Sequence, residues 1–235
     1  MKSIFIIFVI LVSFSLINLE ASSSFSSSTC VTYIPSKRLI TITCDTATLT
    51  DVYHQLKDDD VLKKEDNKSA NEVVWLLNAK LLIEKNSKFI IDSNDTVWLK
   101  IVSDGTMNVN NNIIVYGSMK IHSVKITSWN PNTNNYATYL GPEPPRPFIR
   151  VMKDATGTTD ITNSEIAYLG YSPKTPPSAG VNSGLNYDGG DGSVLRGNNI
   201  HHMWAGMYTR GVSDIVIEGN VVHHNYHYIL FNETI

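Results

Sequence analysis

The hydrophobic and polar positions near the end of the chain form a pattern that repeats after 22 residues. Residues 194–202 read VLRGNNIHH, and residues 216–224 read VIEGNVVHH. Short apolar runs alternate with Gly-Asn turns without a helical period, which is typical of a solenoid built from strands. Because each coil of such a solenoid lies on the previous coil, with strands about 4.8 Å apart, residues 22 positions apart are expected to touch.

This register predicts which side chains stack on each other. The expected inner pairs are Leu195 with Ile217 and Ile200 with Val222, and the expected outer pair is Arg196 with Glu218. The two His-His pairs are expected to form a column. The same aliphatic spacing recurs upstream, at Ile161 and Ile166 and again at Ile121 and Ile126. The pattern therefore predicts at least four stacked coils.

The upstream coils exceed 22 residues, and the extra residues can be placed after one corner of the coil. One predicted insertion is Pro131–Pro147, and the other is roughly Ser172–Gly192; both are rich in turn-forming residues. Insertions at one corner of successive coils build a wall along one face of a solenoid, often the binding face. Aromatic residues and histidines adjoin the same corner, so this edge is the predicted groove.

Closer to the N-terminus, short β-rich runs separated by turn residues continue the strand pattern. The predicted strands are Val73–Leu77, Leu81–Glu84, Lys88–Ile91, Val97–Val102, Ile113–Val115 and Met119–Val124. Before them, Val31–Ile34 and Leu39–Thr43 predict a hairpin, and Thr48–Lys57 predicts a short helix capped by Thr50. The hairpin and helix are expected to cover the N-terminal end of the solenoid.

The first residues have the pattern of a secretory signal peptide. Lys2 precedes an apolar run of 14 residues, Ile4–Ile17, which is short for a membrane span, and small residues follow at Ala21 and Ser22. The alternative is an uncleaved N-terminal anchor, which is the only contact with a membrane that the sequence suggests. The predicted divisions are a signal peptide at 1–21, a Ser-rich linker at 22–29, a cap at 30–71 and the solenoid at 72–235.

Export changes how the cysteines and asparagines are interpreted. The chain has two cysteines, Cys30 and Cys44, and an isolated pair in an exported protein predicts a disulfide. Glycosylation sequons begin at Asn67, Asn94 and Asn232, although chance in a polar surface explains them equally well. The net charge of −3 is small and does not suggest a nucleic acid partner.

The residues of the predicted groove suit a polysaccharide, because aromatic rings cover the apolar side of a sugar while polar side chains bond its hydroxyl groups. The candidates for sugar contacts are Tyr168, Tyr187, Asp188, His202, Trp204, His224, Tyr226 and His227. The alternative for each ring is packing, because solenoids also stack like residues to cover the core. No cofactor is predicted, and the histidines lack the carboxylate spacing that would complete a metal site.

Three segments resemble coils of the periplasmic mannuronan C5-epimerases of alginate synthesis and of related archaeal surface proteins. They are DITNSEIAYLGY at 160–171, GNNIHHMWAGMY at 197–208 and GNVVHHNYHY at 219–228. The resemblance covers about residues 72–228 and implies an all-β fold, a right-handed parallel β-helix with carbohydrate-binding repeats. It also implies a polysaccharide partner, which in that family contains uronate. The signal-peptide pattern at 1–21 predicts secretion or a cell-surface location.

An epimerase of this kind removes a proton beside a carboxylate and returns one on the other face, which takes a base, an acid and a cation. The residues that could supply these groups are His201, His223, Tyr208 and Arg210. The family's Asp-Pro-His segment does not occur, and the chain instead ends in the apolar run 229–235. The sequence therefore predicts a truncated relative that binds or modifies a polysaccharide without full catalytic activity. The alternative is a non-enzymatic structural or adhesive protein of the cell surface or envelope.

Overall fold

The computed structural model describes residues 29–66, 72–104, 111–141, 145–172 and 183–232, and the side chains of these residues except Asp66 and 228–232. The predicted signal peptide, almost all of the predicted linker and the sequon at Asn67 lie outside the described residues. Asn94 lies exposed in a turn, and the side chain of Asn232 is outside the described part. No helix in the described ranges is long and apolar enough to cross a membrane.

The described elements are one α-helix, one 3₁₀ turn and a series of short strands. In chain order they are β1 (Val31–Ile34), the 3₁₀ turn (Pro35–Lys37), β2 (Leu39–Ile42), β3 (Ala47–Thr48), α1 (Leu49–Leu56), β4 (Leu62–Asp66), β5 (Val73–Leu77), β6 (Lys80–Ile83), β7 (Lys88–Asp92), β8 (Trp98–Val102) and β9 (Ile113–Val115). They continue with β10 (Ser118–His122), β11 (Lys125–Trp129), β12 (Ile149–Val151), β13 (Thr159–Thr162), β14 (Glu165–Ala167), β15 (Leu185–Tyr187), β16 (Val194–Arg196), β17 (Asn199–His201), β18 (Ala205–Arg210), β19 (Val216–Glu218), β20 (Val221–His223) and β21 (His227–Asn232).

The strands form three sheets that run along the axis of a parallel β-helix. Sheet A has the order β1-β2-β6-β9-β12-β15-β18-β21, sheet B the order β3-β7-β10-β13-β16-β19, and sheet C the order β4-β5-β8-β11-β14-β17-β20. Each later coil passes from sheet B to sheet C and then to sheet A. All pairings are parallel except β1 with β2 and β4 with β5, which are both antiparallel and both at the N-terminal end.

The register predicted from the 22-residue repeat is confirmed. Leu195 pairs with Ile217 and Arg196 with Glu218 in sheet B, and Ile200 pairs with Val222 in sheet C. The upstream coils also follow the prediction: the pairs are Ile121 with Ile161, Ile161 with Leu195, Ile126 with Ile166 and Ile166 with Ile200. The core is therefore formed by inward side chains at equivalent positions of successive coils, because each of them stacks on its counterpart in the neighbouring coil.

An asparagine ladder holds the turn between sheets B and C. Asn198 is 1% exposed, and its amide donates to the carbonyl of Ile161 at 2.7 Å while its Oδ1 accepts from the backbone of Ser164 at 3.0 Å. Asn220 repeats this one coil later by donating to the carbonyl of Leu195 at 2.9 Å. The Gly-Asn turns of the repeat thus satisfy backbone groups that the sheets leave unpaired.

The N-terminal hairpin is confirmed, and Cys30 and Cys44 form the predicted disulfide. The predicted helix is present, but the predicted cap at Thr50 is wrong. Thr48 has an extended backbone and forms a capping box with Asp51, whereas Thr50 is already helical and hydrogen-bonds Asp95. The structure places strands from before residue 72 in the same sheets as the later coils, through β2 with β6 and β3 with β7.

Both insertions follow sheet C and precede sheet A, which places them at one corner of the coil, named here the C–A corner. The first lies between β11 and β12, as predicted. The predicted end of the second, Gly192, is wrong because Leu185–Tyr187 is strand β15 of sheet A. The inserted residues therefore lie between β14 and β15, and those at 173–182 are outside the described part.

Candidate functional site

A column of parallel rings rises along the C–A corner. Tyr168, His202 and His224 occupy equivalent positions in successive coils, each with a left-handed φ between 51° and 58°. Tyr136, from the first insertion, stacks on Tyr168 with ring centroids 4.3 Å apart. Tyr168 and His202 are 4.7 Å apart, and His202 and His224 are 5.4 Å apart. Four coils thus present one continuous ring stack.

Two shorter columns flank this stack. His201 and His223 lie on the outer side of sheet C with ring centroids 5.0 Å apart. On the other side of the corner, Trp204 stacks on Tyr226 at 4.6 Å, and His227 meets both rings edge-on. Most residues predicted to contact sugar therefore do come together at the C–A corner.

The stacking limits how these rings can meet a sugar. A ring inside a column has both faces covered by its neighbours, so it offers its edge and its polar atoms rather than a face. Tyr226 lies at the end of its described column and is 62% exposed. Among the described rings of the corner, Tyr226 is therefore the best placed to lie flat against the apolar side of a sugar.

A cavity of about 390 Å³ opens between the ring columns and the first insertion. Its walls are Thr138, Leu140, Arg146, Tyr168, His202, Met203, His224, Asn225 and Tyr226. Aromatic and aliphatic surface dominates, with a few polar groups that converge, which is the usual composition of a small-molecule site. This cavity, named here the corner cavity, is the candidate functional site.

The charge at the corner cavity comes from Arg146, which is 1% exposed. Its guanidinium donates to the carbonyls of Gly170 at 2.7 Å, His202 at 3.0 Å and Leu169 at 3.1 Å. Burial lowers the pKa of Arg146 to about 9, which leaves it a cation at neutral pH. No carboxylate among the described residues pairs with it, so an anion in the cavity would find a positive charge already in place.

The histidines are linked by hydrogen bonds as well as by stacking. His201 Nδ1 lies 2.7 Å from His202 Nδ1, and His223 Nδ1 lies 2.6 Å from His224 Nδ1. Burial lowers the pKa of His201, and the Glu165 carboxylate opposes that shift. Burial also lowers the pKa of His202, and the neighbouring His224, His223 and Arg146 lower it further. These two imidazoles are therefore neutral at pH 7.

The other predicted site residues lie elsewhere. Tyr208 and Arg210 lie in strand β18 of sheet A, away from the histidines of sheet C. Asp188 directly follows β15 and pairs with Arg210 at 3.0 Å. The predicted catalytic set is thus divided between two sheets. The prediction that Tyr187 contacts sugar is wrong: its ring is 1% exposed, and its hydroxyl donates to the carbonyl of Thr159 at 3.0 Å inside the core.

A larger cleft of about 640 Å³ lies over sheet C near the N-terminal coils. Three lysines line it, but Lys100 is paired with Glu65 at 2.7 Å and lies over the rings of Trp98 and Trp129. Its cationic groups are therefore partly neutralised, and it lacks the histidines. Within the described ranges, no three His, Cys, Asp or Glu side chains converge as metal ligands.

The repeat pattern of the sequence does not single out Glu165, Lys125, Arg146 or Tyr136 as site residues. The first two could have been found, because the register that stacks Ile126 on Ile166 also pairs Lys125 with Glu165. Arg146 and Tyr136 lie in the first insertion, where no repeat assigns a position. Their roles depend on how that loop folds back over the corner.

Comparison with known proteins agrees with this architecture. A family model described as a right-handed β-helix region matches residues 149–233. With its three stacked sheets, the chain is a right-handed parallel β-helix. A search of curated protein sequences gave no significant match.

The solved structures that share this fold include the periplasmic alginate epimerase AlgG. One single-substitution variant aligns with a TM-score of 0.61 and 20% identity, over 80% of this chain and 43% of that chain. Another structure of the same enzyme aligns with a TM-score of 0.55 and 22% identity, over 77% and 41%. At this identity the likeness establishes the fold alone, and this chain spans less than half of the epimerase.

Proposed function

We propose that the chain is an exported β-helix protein that binds an acidic polysaccharide at the corner cavity. The observation that carries this proposal is the buried cation of Arg146 in the wall of a cavity otherwise formed by Tyr, His, Leu and Met side chains. An aromatic wall suits the apolar side of a sugar ring, and a preformed cation suits its carboxylate. Uronate residues combine these two features.

The order of the groups supports a polymer rather than a single sugar. The ring columns continue along the helix axis from Tyr136 to His224, and Tyr226 extends the surface on the other side of the corner. A chain of sugars lying along the corner would meet an equivalent group in each coil, about 4.8 Å from the last. The structural likeness to an alginate epimerase is consistent with a ligand of this class.

Export is part of the proposal. Residues 1–21 have the pattern of a signal peptide, and the disulfide between Cys30 and Cys44 fits an oxidising compartment. The proposed function is binding, and the groups that support it are the rings and the cation of the corner cavity.

The test is a binding series measured by calorimetry with a polyuronate, a sulfated polysaccharide and a neutral polysaccharide of similar length. We expect the polyuronate to bind, and we expect added salt to weaken it because the carboxylate is paired with a cation. Tyr226→Ala should lower the affinity about tenfold, equivalent to 1.4 kcal/mol. Arg196→Ala, on the outer face of sheet B, is the matched control and should leave the affinity unchanged.

Two results would overturn the proposal. One is the absence of binding to any of the three polymers, which would favour a structural or adhesive role without a glycan. The other is equal affinity for the acidic and neutral polymers, because recognition would then not involve Arg146.

A further inference from the structure

Two adjacent histidines turn their rings toward each other at the C–A corner, and this arrangement occurs in two successive coils. His201 Nδ1 lies 2.7 Å from His202 Nδ1, and His223 Nδ1 lies 2.6 Å from His224 Nδ1. The rings within each pair are nearly perpendicular, at 80° and 82°. The pairs stack with ring centroids 5.0 and 5.4 Å apart, so the four imidazoles form a two-by-two array.

The backbone of the corner creates this arrangement. Neighbouring residues of a strand point to opposite sides of its sheet, so consecutive histidines would ordinarily be separated. His201 ends strand β17 and His223 ends strand β20, and the histidines that follow, His202 and His224, have a left-handed φ of 54° and 51°. This change of direction brings the second ring beside the first. The preceding coil has Ala167 opposite His201, so it does not repeat the pair.

Hydrogen bonds fix the outer nitrogen of the first ring in each pair. His201 Nε2 lies 3.3 Å from the Glu165 carboxylate, and His223 Nε2 lies 2.9 Å from the side-chain oxygen of Asn199. Both oxygens accept, so each Nε2 carries the proton of its neutral ring and each Nδ1 offers its lone pair to the inside of the pair. A histidine that binds a metal through one nitrogen ordinarily donates its other N–H to an acceptor of this kind.

The separation of the paired nitrogens matches two neighbouring ligands of a square-planar metal ion. With metal–nitrogen bonds of about 2.0 Å, two ligands at a right angle lie about 2.8 Å apart, whereas two tetrahedral ligands lie about 3.3 Å apart. The observed separations of 2.7 and 2.6 Å are close to the first value. Square-planar coordination by nitrogen and oxygen is typical of Cu²⁺ and Ni²⁺, and Cu²⁺ binds more tightly of the two.

We propose that each histidine pair chelates one Cu²⁺ ion through its two Nδ1 atoms, His201 and His202 at the first site and His223 and His224 at the second site. The other positions of each ion take water, because no three His, Cys, Asp or Glu side chains of the described residues converge as ligands. Without metal, the second ring donates its Nδ1 proton to the first ring. Binding moves that proton to Nε2 of the same ring, so each imidazole stays neutral and copper stays Cu²⁺.

The charges around the array differ between the two sites. Glu165 is ion-paired with Lys125 Nζ at 2.9 Å, and its negative charge favours a cation at the first site through His201. Arg146 acts in the opposite direction, since it donates to the carbonyl of His202 at 3.0 Å. At the second site the position of Glu165 is taken by Asn199, which is neutral. A substitution at residue 165 or 199 therefore changes one site and leaves the other as an internal reference.

The test measures Cu²⁺ binding to the metal-stripped full chain by calorimetry, with no polysaccharide present. We expect two ions per chain. His201→Gln and His223→Gln should each remove one ion, and the double variant should lose both. On each single-site variant, electron paramagnetic resonance should detect two imidazole nitrogens bound to the remaining ion. The matched controls are His54→Gln and His122→Gln, which lie on helix α1 and strand β10 and should still bind two ions.

The acceptors behind the first rings are tested separately. Glu165→Gln should weaken Cu²⁺ binding at the first site about tenfold and leave the second site unchanged. Asn199→Asp should strengthen binding at the second site by a similar factor. Copper binding goes beyond the proposed function and does not depend on it: Tyr226→Ala, which lowers the expected glycan affinity, should leave both ions in place. The two proposals can therefore fail independently.

Three results would overturn the inference in variants that melt cooperatively. The first is the absence of Cu²⁺ binding to the parent protein. The second is an unchanged number of ions in the double variant, because copper would then bind elsewhere. The third is a spectrum with one imidazole nitrogen per ion, because the pair would then not act as a chelate. If His201→Gln fails to fold, His223→Gln decides between these outcomes, because the second site lies at the surface.

Discussion

Asp188, directly after strand β15, forms an ion pair with Arg210 through its Oδ1 at 3.0 Å, and only 6% of the Asp188 side chain is exposed. The same carboxylate holds Arg150 at 2.6 Å through its other oxygen. From the sequence, Arg210 is a candidate cation for a sugar carboxylate, but in the structure it is paired with Asp188. The unpaired cation near the rings is instead Arg146, as far as the described residues show.

We therefore predict that Asp188→Asn destabilises the protein by about 2 kcal/mol. Removing a buried carboxylate leaves two arginines without their partner, and the cost is reduced here because Arg150 and Arg210 retain some contact with solvent. Urea unfolding at pH 7 measures the change. The matched control is Glu218→Gln, which breaks the exposed pair with Arg196 and should cost about 0.5 kcal/mol or less. Equal losses in the two variants would contradict the prediction.

The asparagine ladder gives a second prediction. Asn198→Ala removes the partner of the Ile161 carbonyl and of the Ser164 backbone N–H, both in a buried turn. Leaving two buried backbone groups unpaired should cost about 3 kcal/mol in the free energy of unfolding. Asn94→Ala, at an exposed turn position, should change the same quantity by about 0.5 kcal/mol or less. A small effect at Asn198 would mean that water replaces its amide.

The stacking of the coils could be predicted from sequence because the core of a solenoid repeats its register. Leu195 and Ile217 must both point inward, and a shift by one residue would turn every side chain of that strand to the other face. The same logic extends to Glu165 and Lys125, which lie beside predicted core residues. The contact between Glu165 and His201 could therefore have been predicted from the sequence.

The buried position of Tyr187 could not be predicted from the sequence. Strand β15 has only three residues and lies between Gly- and Ser-rich segments, so its pattern resembles the insertion that precedes it. Without a register there is no basis for deciding whether residue 187 points inward. Arg146 could not be assigned either, because its three partners are carbonyls brought together by a loop and the following coils.

Tyr187→Phe tests the corrected position of this ring. The substitution removes one buried hydrogen bond, to the Thr159 carbonyl, and should lower the free energy of unfolding by about 1 kcal/mol. Because the ring is in the core, polyuronate affinity should not change, in contrast to Tyr226→Ala. Chemical denaturation and calorimetry measure the two quantities. A variant that loses glycan affinity but keeps its stability would contradict the buried position and indicate that Tyr187 contacts the glycan.

The disulfide between Cys30 and Cys44 closes a loop with a sequence separation of 14 residues. In the chain-entropy model, a loop of this size stabilises the folded state by about 3 kcal/mol. The chain contains two cysteines, so any effect of a reductant on stability reports this bond. We expect dithiothreitol to lower the urea midpoint of the parent protein and to have no effect on Cys30→Ser combined with Cys44→Ser. An unchanged midpoint in the parent would contradict the prediction.

The paired histidines predict a loss of stability in acid. Burial lowers the folded-state pKa of His201 and His202 below the ordinary value of 6.5, so the unfolded chain takes up protons first as the pH falls. The contribution of these two histidines to the free energy of unfolding is therefore complete above pH 6.5. It decreases as the pH falls from 6.5 toward their lower folded-state pKa values. Thermal melting at about pH 7.5 and 5.5 measures this decrease. In the double variant His201→Gln and His202→Gln, the difference between the melting temperatures at the two pH values should be smaller than in the parent. The control His54→Gln, on helix α1, should keep the parent's difference. The same difference in all three proteins would show that these imidazoles do not control the acid response.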